Sequence, residues 1–228
     1  MARHVVALGG GGFGEEDDAA LADLVLGLAR RDEPRVCFVP TAGGDQDAYG
    51  ERVGDALHGL ARFSVLRLFA REVADLDAFL AEQDVVYVGG GSTVNLLAVW
   101  RAHGLDRALR RAYETGVVTA GVSAGANCWF ERSTTDSWLL GRADGLRDGL
   151  GWLPGGFCPH HSSEPARRPQ LRALVADGFG DTYAADDGVA LHFVDEQLTQ
   201  VVSARPHARA VLVRRTQEGE VVEEPLRP

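Results

Sequence analysis

A serine suited to nucleophilic catalysis lies within Val117 to Trp129, VVTAGVSAGANCW. A short β-branched run leads into Gly-Val-Ser-Ala-Gly and then a helix start, the context in which a serine side chain is pushed out above the edge of a parallel sheet. Ser123 is that side chain, and Gly121 and Gly125 keep the tight turn free of Cβ atoms. The N–H of Ala124 is placed to donate to a developing oxyanion. Because GxSxG also occurs by chance, a glycine-lined turn with an incidental serine is the alternative.

A nucleophilic serine needs a base, and the base needs an acceptor that orients it. Of the seven histidines, only His160 and His161 stand at the end of an apparent strand downstream of the serine, so His160 is the candidate base. A structural histidine is the alternative. Asp186 and Asp187 are candidates for the acceptor, although an ordinary Asp-Gly turn is the simpler interpretation of these residues.

The oxyanion needs a second donor, and an amide within Gly89, Gly90 and Gly91 is the natural candidate, because only glycine lets the backbone approach a substrate carbonyl closely. Cys158 clusters with the two histidines in sequence, which raises the alternative of a metal site. HExxH and paired CxxC spacings are absent, so no metal is expected.

The elements that must position these groups alternate between strand and helix. Strands are predicted at 4–8, 35–40, 64–69, 85–88 and 117–123, and helices at 17–29, from about 47 to 60, and at 75–81, 93–103 and 105–114. This alternation predicts a parallel sheet covered on both faces. Active sites of such sheets lie beyond the carboxyl ends of the strands, where Ser123 and the glycine triplet fall.

After residue 129 the regular alternation of strand and helix ends. Residues 131–156 are predicted to form loops around the site, followed by a short strand at 156–159 and a helix at 169–176. Two closing strands, 182–193 with a break at 186–188 and 200–214, are predicted to pair as a hairpin at one edge, and the acidic tail from 217 to fray. No linker divides the chain, so residues 1–228 are predicted to form one domain.

Composition excludes several classes of protein. With 33 acidic and 23 basic residues and a net charge of -10, a nucleic-acid partner is not expected. Three widely spaced cysteines indicate a reducing compartment without disulfides. No apolar run suits a signal peptide or a membrane span, so we expect a cytoplasmic protein with no membrane partner.

The N-terminal glycines match GxGxxG at Gly9, Gly11 and Gly14, which is the pattern of a dinucleotide site. Such a site needs an acidic residue at the end of the second strand, whereas Asp32 and Glu33 precede that strand. We therefore interpret the glycines as a structural crest at the carboxyl edge of the sheet, and no cofactor is expected.

Three segments, VYVGGGSTVNLL, GVSAGANCWF and CPHHSSEPARRPQL, resemble the peptidase E group of serine peptidases, which comprises aspartyl dipeptidases and, more distantly, cyanophycinases. The resemblance covers most of the chain in the same order. It implies an α/β fold like that of class I glutamine amidotransferases, a flavodoxin-like three-layer sandwich with a mostly parallel central sheet. It also implies that Ser123 is the nucleophile, His160 the base, and Gly90 and Ala124 the oxyanion donors.

The third member of the family triad is usually a glutamate in a late turn. This chain has Asp187 there, with Asp186 as the fallback. The resemblance also implies an arginine that pairs with the acidic side chain of an N-terminal Asp-X substrate, for which Arg168 is the nearest match and Arg167 its neighbour, while Gly89 and Gly91 border the substrate.

The expected function is therefore serine-dependent hydrolysis of short peptides, most simply Asp-X dipeptides. The alternatives are other or β-aspartyl specificity, an α/β-hydrolase esterase whose base would be His192 or His207, and a non-catalytic binding member of the fold. Pairing of the late strands across a two-fold axis would give a homodimer, which nothing in the sequence requires.

Overall fold

The computed structural model describes residues 1–14, 18–139 and 142–227. The strands are, in chain order, β1 His4–Leu8, β2 Arg35–Val39, β3 Arg62–Val65, β4 Val85–Val88, β5 Val118–Val122, β6 Phe130–Thr135, β7 Asp144–Leu146, β8 Leu153–Cys158, β9 Thr182–Ala185, β10 Val189–Val194, β11 Gln197–Ser203, β12 Ala210–Arg215 and β13 Val221–Leu226.

The helices are α1 Ala19–Gly27, α2 Asp47–Ala56, α3 Leu76–Ala81, α4 Thr93–His103, α5 Leu105–Glu114, α6 Ala124–Asn127 and α7 Arg167–Ala176, with a short 3₁₀ turn at Thr41–Gly43. The start of the helix predicted at 17–29 lies outside the described residues. Among the helices described, none has the length and apolar character needed to cross a bilayer.

Two sheets form the framework. The first has the order β11-β10-β1-β5-β4-β2-β3, in which β1 to β5 run parallel and β10 and β11 are antiparallel additions at one edge. The second has the order β13-β12-β9-β8-β6-β7. The first sheet confirms the predicted α/β class with a mostly parallel central sheet.

Alternation along β1 shows how the layers are built. Val6 and Leu8 pack with α1 and α2 on one face of the first sheet. Val5 and Ala7 face the opposite side, where α3, α4 and α5 and the second sheet complete a larger apolar cluster. Successive side chains of a strand point to opposite faces, so a strand covered on both sides is apolar throughout.

The second sheet is the main departure from the predicted elements. Residues 131–156, predicted as loops, contain β6, β7 and the start of β8, and the tail predicted to fray contains β13. The strand predicted at 200–214 is two strands, β11 and β12, in different sheets. Segments such as FERSTT and LPGGFC carry polar residues and glycine instead of a β-branched alternation, so their pairing depends on partners remote in sequence.

The three cysteines are free and buried. Burial raises the pKa of Cys37 to about 12 and that of Cys158 to about 11, and it raises the pKa of Cys128 well above its ordinary value. A raised thiol pKa leaves less of the reactive thiolate at a given pH. We expect no thiol to react with DTNB at pH 8 in the folded protein and all three to react after denaturation. Prompt reaction of even one thiol in the native protein would contradict this assignment.

Candidate active site

Carboxyl ends of strands from both sheets meet at one edge of the molecule. In the first sheet, β1, β5 and β4 are neighbours, and they are followed by Gly9, Ser123 and Gly89 respectively. In the second sheet, β8 and β9 run parallel and are followed by His160 and Asp187 after one residue each. The two sheets therefore deliver a hydroxyl, an imidazole and a carboxylate to the same place.

Ser123 occupies a sharp turn between β5 and α6, with φ 54° and ψ -112°. Positive φ is rare for a residue that carries a side chain, and such strain concentrates at functional sites. Both flanking glycines are required by space: a Cβ atom on Gly121 would collide with the carbonyl of Gly125, and one on Gly125 with the carbonyl of Val88. The turn thus holds the Ser123 side chain clear of the sheet.

A continuous hydrogen-bonded chain runs from the serine to an aspartate. His160 Nε2 lies 2.9 Å from Ser123 Oγ. On the other side of the ring, His160 Nδ1 lies 2.6 Å from Asp187 Oδ1. His160 also has a positive φ of 54°. With Nδ1 donating to the carboxylate, Nε2 is an acceptor for the serine proton, which is the arrangement of a general base.

Asp187, not Asp186, is the carboxylate that contacts the histidine. The hydrogen bond from His160 lowers the pKa of Asp187 below its ordinary value, against the opposing effect of partial burial, and Ser163 adds a further hydrogen bond. Asp186 is buried and accepts a hydrogen bond from the N–H of Arg209 at 3.0 Å. Asp187 therefore remains ionised where it can orient the imidazole, while Asp186 secures the backbone after β9.

The N-terminal glycines contact the histidine and the aspartate directly. The carbonyl of Gly9 accepts from the N–H of His160 at 3.1 Å, and the carbonyl of Gly10 accepts from the N–H of Gly188 at 2.9 Å. A Cβ atom on Gly10 would collide with the Asp187 carboxylate and lie 2.9 Å from His160 Cε1. The crest predicted from the sequence thus joins the first sheet to the base and the acid.

The packing of Gly11 argues against a dinucleotide at this glycine-rich segment. A Cβ atom on Gly11 would collide with the carboxylate of Asp18, which is fully buried, accepts from the N–H of Gly12 at 3.1 Å and pairs with Arg205. Glycine is needed at position 11 because the Asp18 carboxylate lies where a Cβ atom would be, so no approaching phosphate is required to explain it.

Two candidate oxyanion donors differ in their hydrogen bonding. Throughout residues 1–14, 18–139 and 142–227, no acceptor is found for the N–H of Ala124, at the start of α6. The N–H of Gly90 donates to Tyr49 Oη at 3.0 Å. In the same loop, a Cβ atom on Gly89 would press on the Tyr49 ring at 2.9 Å, and one on Gly91 would collide with Ala42. Glycine at these outer two positions is therefore explained by packing within the protein.

The two neighbouring arginines have different surroundings. The side chain of Arg168 is 62% exposed and pairs with Glu223 of β13 at 3.0 Å. The side chain of Arg167 is 4% exposed and pairs with Glu164 at 2.5 Å and Asp136 at 3.4 Å. Arg168 thus lies against the edge of the second sheet, and Arg167 faces a cluster of two partly exposed carboxylates.

Arg167 is also linked to the helix that follows the nucleophile. Its Nη1 donates to the carbonyl of Thr134 at 3.2 Å, and the same carbonyl accepts from Asn127 Nδ2 at 3.1 Å. Asn127 is the last residue of α6, which begins directly after Ser123. These contacts favour Arg167 over Arg168 as the arginine near the site.

The remaining histidine and cysteine candidates lie in other environments. His192, one of the two bases that an esterase of the α/β-hydrolase type could use, is hydrogen bonded to His4 at 3.0 Å. His161 faces Glu223 at 3.8 Å, and Cys158 is buried. In the part of the chain that the structure describes, no three histidine, cysteine or carboxylate side chains are grouped to hold a metal ion.

Sequence reasoning missed three residues that shape this edge. Gly10 is recognisable only as part of a glycine run, and Asp136 as one polar residue in a segment predicted to be a loop. Tyr49 carries no local signal at all, because its position follows from the neighbouring placement of β2 and β4. Their roles depend on contacts between elements.

Comparisons with known proteins identify the family of this chain. Residues 5–201 match the model of the family described as Peptidase family S51. The chain is 47% identical over 227 residues to the "Uncharacterized peptidase YgaJ" of Bacillus subtilis (strain 168), covering 98% of this chain and 97% of that protein. It is 28% identical to "Peptidase E" of Pasteurella multocida (strain Pm70), over 71% of this chain and 72% of that protein.

A solved structure gives the same result for the fold. The structure of a peptidase from an acI-B1 Actinobacterium superposes with a TM-score of 0.70 at 16% identity, covering 99% of this chain and 94% of that one. With the family match extending over most of the sequence, the conclusion is direct: this chain is a member of peptidase family S51.

Proposed function

We propose that this peptidase is a serine dipeptidase in which Ser123, His160 and Asp187 form the catalytic triad. The observation that carries the proposal is the unbroken chain of hydrogen bonds from Ser123 Oγ through both ring nitrogens of His160 to Asp187 Oδ1, at 2.9 Å and 2.6 Å. The strained turn at Ser123 supports it, as does the Ala124 amide at the start of α6, for which the described residues supply no acceptor.

The reaction follows from these positions. Ser123 Oγ attacks the peptide carbonyl carbon while its proton passes to His160 Nε2, and the carbonyl oxygen becomes an oxyanion held by hydrogen-bond donors that include the Ala124 N–H. The C–N bond then breaks, the leaving amine takes the proton from His160, and an acyl-enzyme remains. Water, deprotonated by His160, releases the acyl group and restores the serine. Asp187 keeps Nδ1 protonated and stabilises the imidazolium.

Charges near the nucleophile support specificity for an N-terminal aspartyl residue. Such a residue carries an α-ammonium group and a side-chain carboxylate. The cluster formed by Arg167, Asp136 and Glu164 presents a cation and two carboxylates. The 3.4 Å pair between Arg167 and Asp136 is longer than the usual charge-assisted hydrogen bond, so a substrate carboxylate can compete for the guanidinium. The ammonium group would then be met by the carboxylates.

A substrate panel tests this proposal. We expect wild type to cleave Asp-Leu in preference to Glu-Leu, Ala-Leu, Gly-Leu and β-aspartyl-leucine. Arg167→Ala is expected to lower the ratio of kcat/KM for Asp-Leu over Ala-Leu by about 10- to 100-fold, the effect of losing one hydrogen bond to a charged group. Arg168→Ala is the matched control, since its side chain is bound to Glu223, and the ratio should stay unchanged.

The outcomes separate activity from specificity. Equal cleavage of Asp-Leu and Ala-Leu by wild type would contradict the aspartyl preference while leaving peptide hydrolysis intact. An unchanged ratio in Arg167→Ala would assign Arg167 to stability alone. Failure of folded wild type both to cleave the panel and to label at Ser123 with a fluorophosphonate would contradict the proposed activity itself.

A further inference from the structure

One hydrogen bond within the candidate site is at odds with the role predicted for Gly90. Its N–H, expected to donate to the oxyanion, donates to Tyr49 Oη at 3.0 Å. An N–H carries a single proton and makes one strong hydrogen bond. Either the phenol moves away when substrate binds, or the phenol itself is part of the oxyanion site.

The ring of Tyr49 is held on several sides, which disfavours movement. Phe38 packs edge-to-face against it at 4.9 Å between ring centroids, and the Arg52 guanidinium lies 4.8 Å from its centroid. A Cβ atom on Gly89 would lie 2.9 Å from Tyr49 Cε1, and one on Gly43 would lie 3.4 Å from Cδ1. A swing of the phenol would require these neighbours to shift as well.

The phenol oxygen and the nucleophile also face a shared space. A Cβ atom built on Gly90 would lie 3.5 Å from Ser123 Cβ and 3.9 Å from Tyr49 Oη. Both groups are thus on the same side of Gly90, and a side chain on residue 90 would contact both of them. A carbonyl oxygen of a substrate attacked by Ser123 needs a position of this kind.

We propose that Tyr49 is a catalytic residue whose hydroxyl, supported by the Gly90 amide, is the second donor to the oxyanion beside the Ala124 N–H. A phenol can accept one hydrogen bond and donate its own proton in another. Accepting from Gly90 polarises the O–H bond and strengthens its donation. Gly90 then acts through Tyr49 instead of touching the oxyanion. This inference rests on the proposed serine mechanism.

The test is Tyr49→Phe, which keeps the ring and its packing. Loss of one oxyanion donor is expected to lower kcat by about 10²-fold with little change in KM, because the bond strengthens mainly in the transition state. The matched control is Tyr87→Phe. Tyr87 stacks on the same Phe38 at 6.0 Å, is buried, and ends in a hydroxyl beside Gly12 rather than Gly90. We expect wild-type kcat in the control.

A kcat of Tyr49→Phe that is equal to or higher than that of wild type would overturn the proposal. If the phenol merely occupies the Gly90 amide in the free enzyme, Tyr49→Phe releases that amide, and kcat stays constant or rises. An equal loss in both variants would also overturn it, since that result indicates disturbed aromatic packing.

Labelling by a fluorophosphonate gives a second readout that does not depend on any peptide being the substrate. Ser123 Oγ forms a bond to phosphorus, fluoride leaves, the serine proton goes to His160, and a phosphoryl oxygen takes the oxyanion position. The labelling rate is expected to fall by about 10²-fold in Tyr49→Phe. Absent peptide cleavage with normal wild-type labelling would count against the dipeptidase proposal, whereas equal labelling of wild type and Tyr49→Phe would count against the role of Tyr49.

Discussion

Ser123→Ala, His160→Ala and the double variant are all expected to lose about 10⁶-fold in kcat toward the preferred dipeptide. The serine proton passes to His160 Nε2 as the Oγ–carbon bond forms, so neither group is useful without the other. Steady-state rates of the three variants, with thermal melting curves to verify folding, measure this non-additivity.

The matched control is Ser162→Ala, an exposed serine two residues after the base, which should retain wild-type kcat. A double variant that is much slower than either single variant would show that the two side chains act independently. A Ser123→Ala protein retaining a substantial part of the wild-type rate would exclude the serine as nucleophile.

Asp187→Asn is expected to lower kcat by about 10⁴-fold, because an amide no longer fixes the histidine tautomer that leaves Nε2 free to accept the serine proton. The hydrogen bond from His160 that lowers the pKa of Asp187 shows that the carboxylate is ionised at neutral pH. The measurement is kcat for the preferred dipeptide, together with the fluorophosphonate labelling rate of Ser123.

Asp186→Asn is the adjacent control. Its carboxylate accepts from the Arg209 N–H, and the amide oxygen of asparagine can do the same, so kcat should remain near that of wild type. A large loss in Asp186→Asn with a small loss in Asp187→Asn would reverse the assignment. Similar losses of kcat in both variants would indicate that each substitution disturbs the turn after β9 and that neither effect reports on one carboxylate.

The sequence was informative where local chemistry and local structure coincide. Ser123 lies in a tight turn that needs glycine at positions 121 and 125, and the turn follows a strand that is buried throughout. The alternation of strand and helix up to β5 likewise predicts the parallel sheet, because each element has its own period of apolar residues.

The sequence was uninformative where position depends on remote contacts. Arg167 and Arg168 are adjacent in the first turn of α7, and about 100° of helical rotation separates their directions, so composition cannot say which faces the site. Asp186 and Asp187 directly follow β9, where successive side chains point in opposite directions, so the sequence does not say which carboxylate faces His160. The second sheet was missed because several of its strands pair with segments that are not adjacent in the chain. Thr182 of β9, for example, lies opposite Gly156 of β8 on one side and Val213 of β12 on the other.

The residues of the proposed triad that come late in the chain are attached to the first strand. The carbonyl of Gly9 binds the backbone of His160, and β10, which follows Asp187, pairs with β1. Ser123 is synthesised 64 residues before Asp187. In the proposed mechanism, a growing chain on the ribosome carries the nucleophile without an oriented base, and peptidase activity is expected only after β10 has paired with β1. On this proposal, we expect unfinished chains to be unable to cleave peptides.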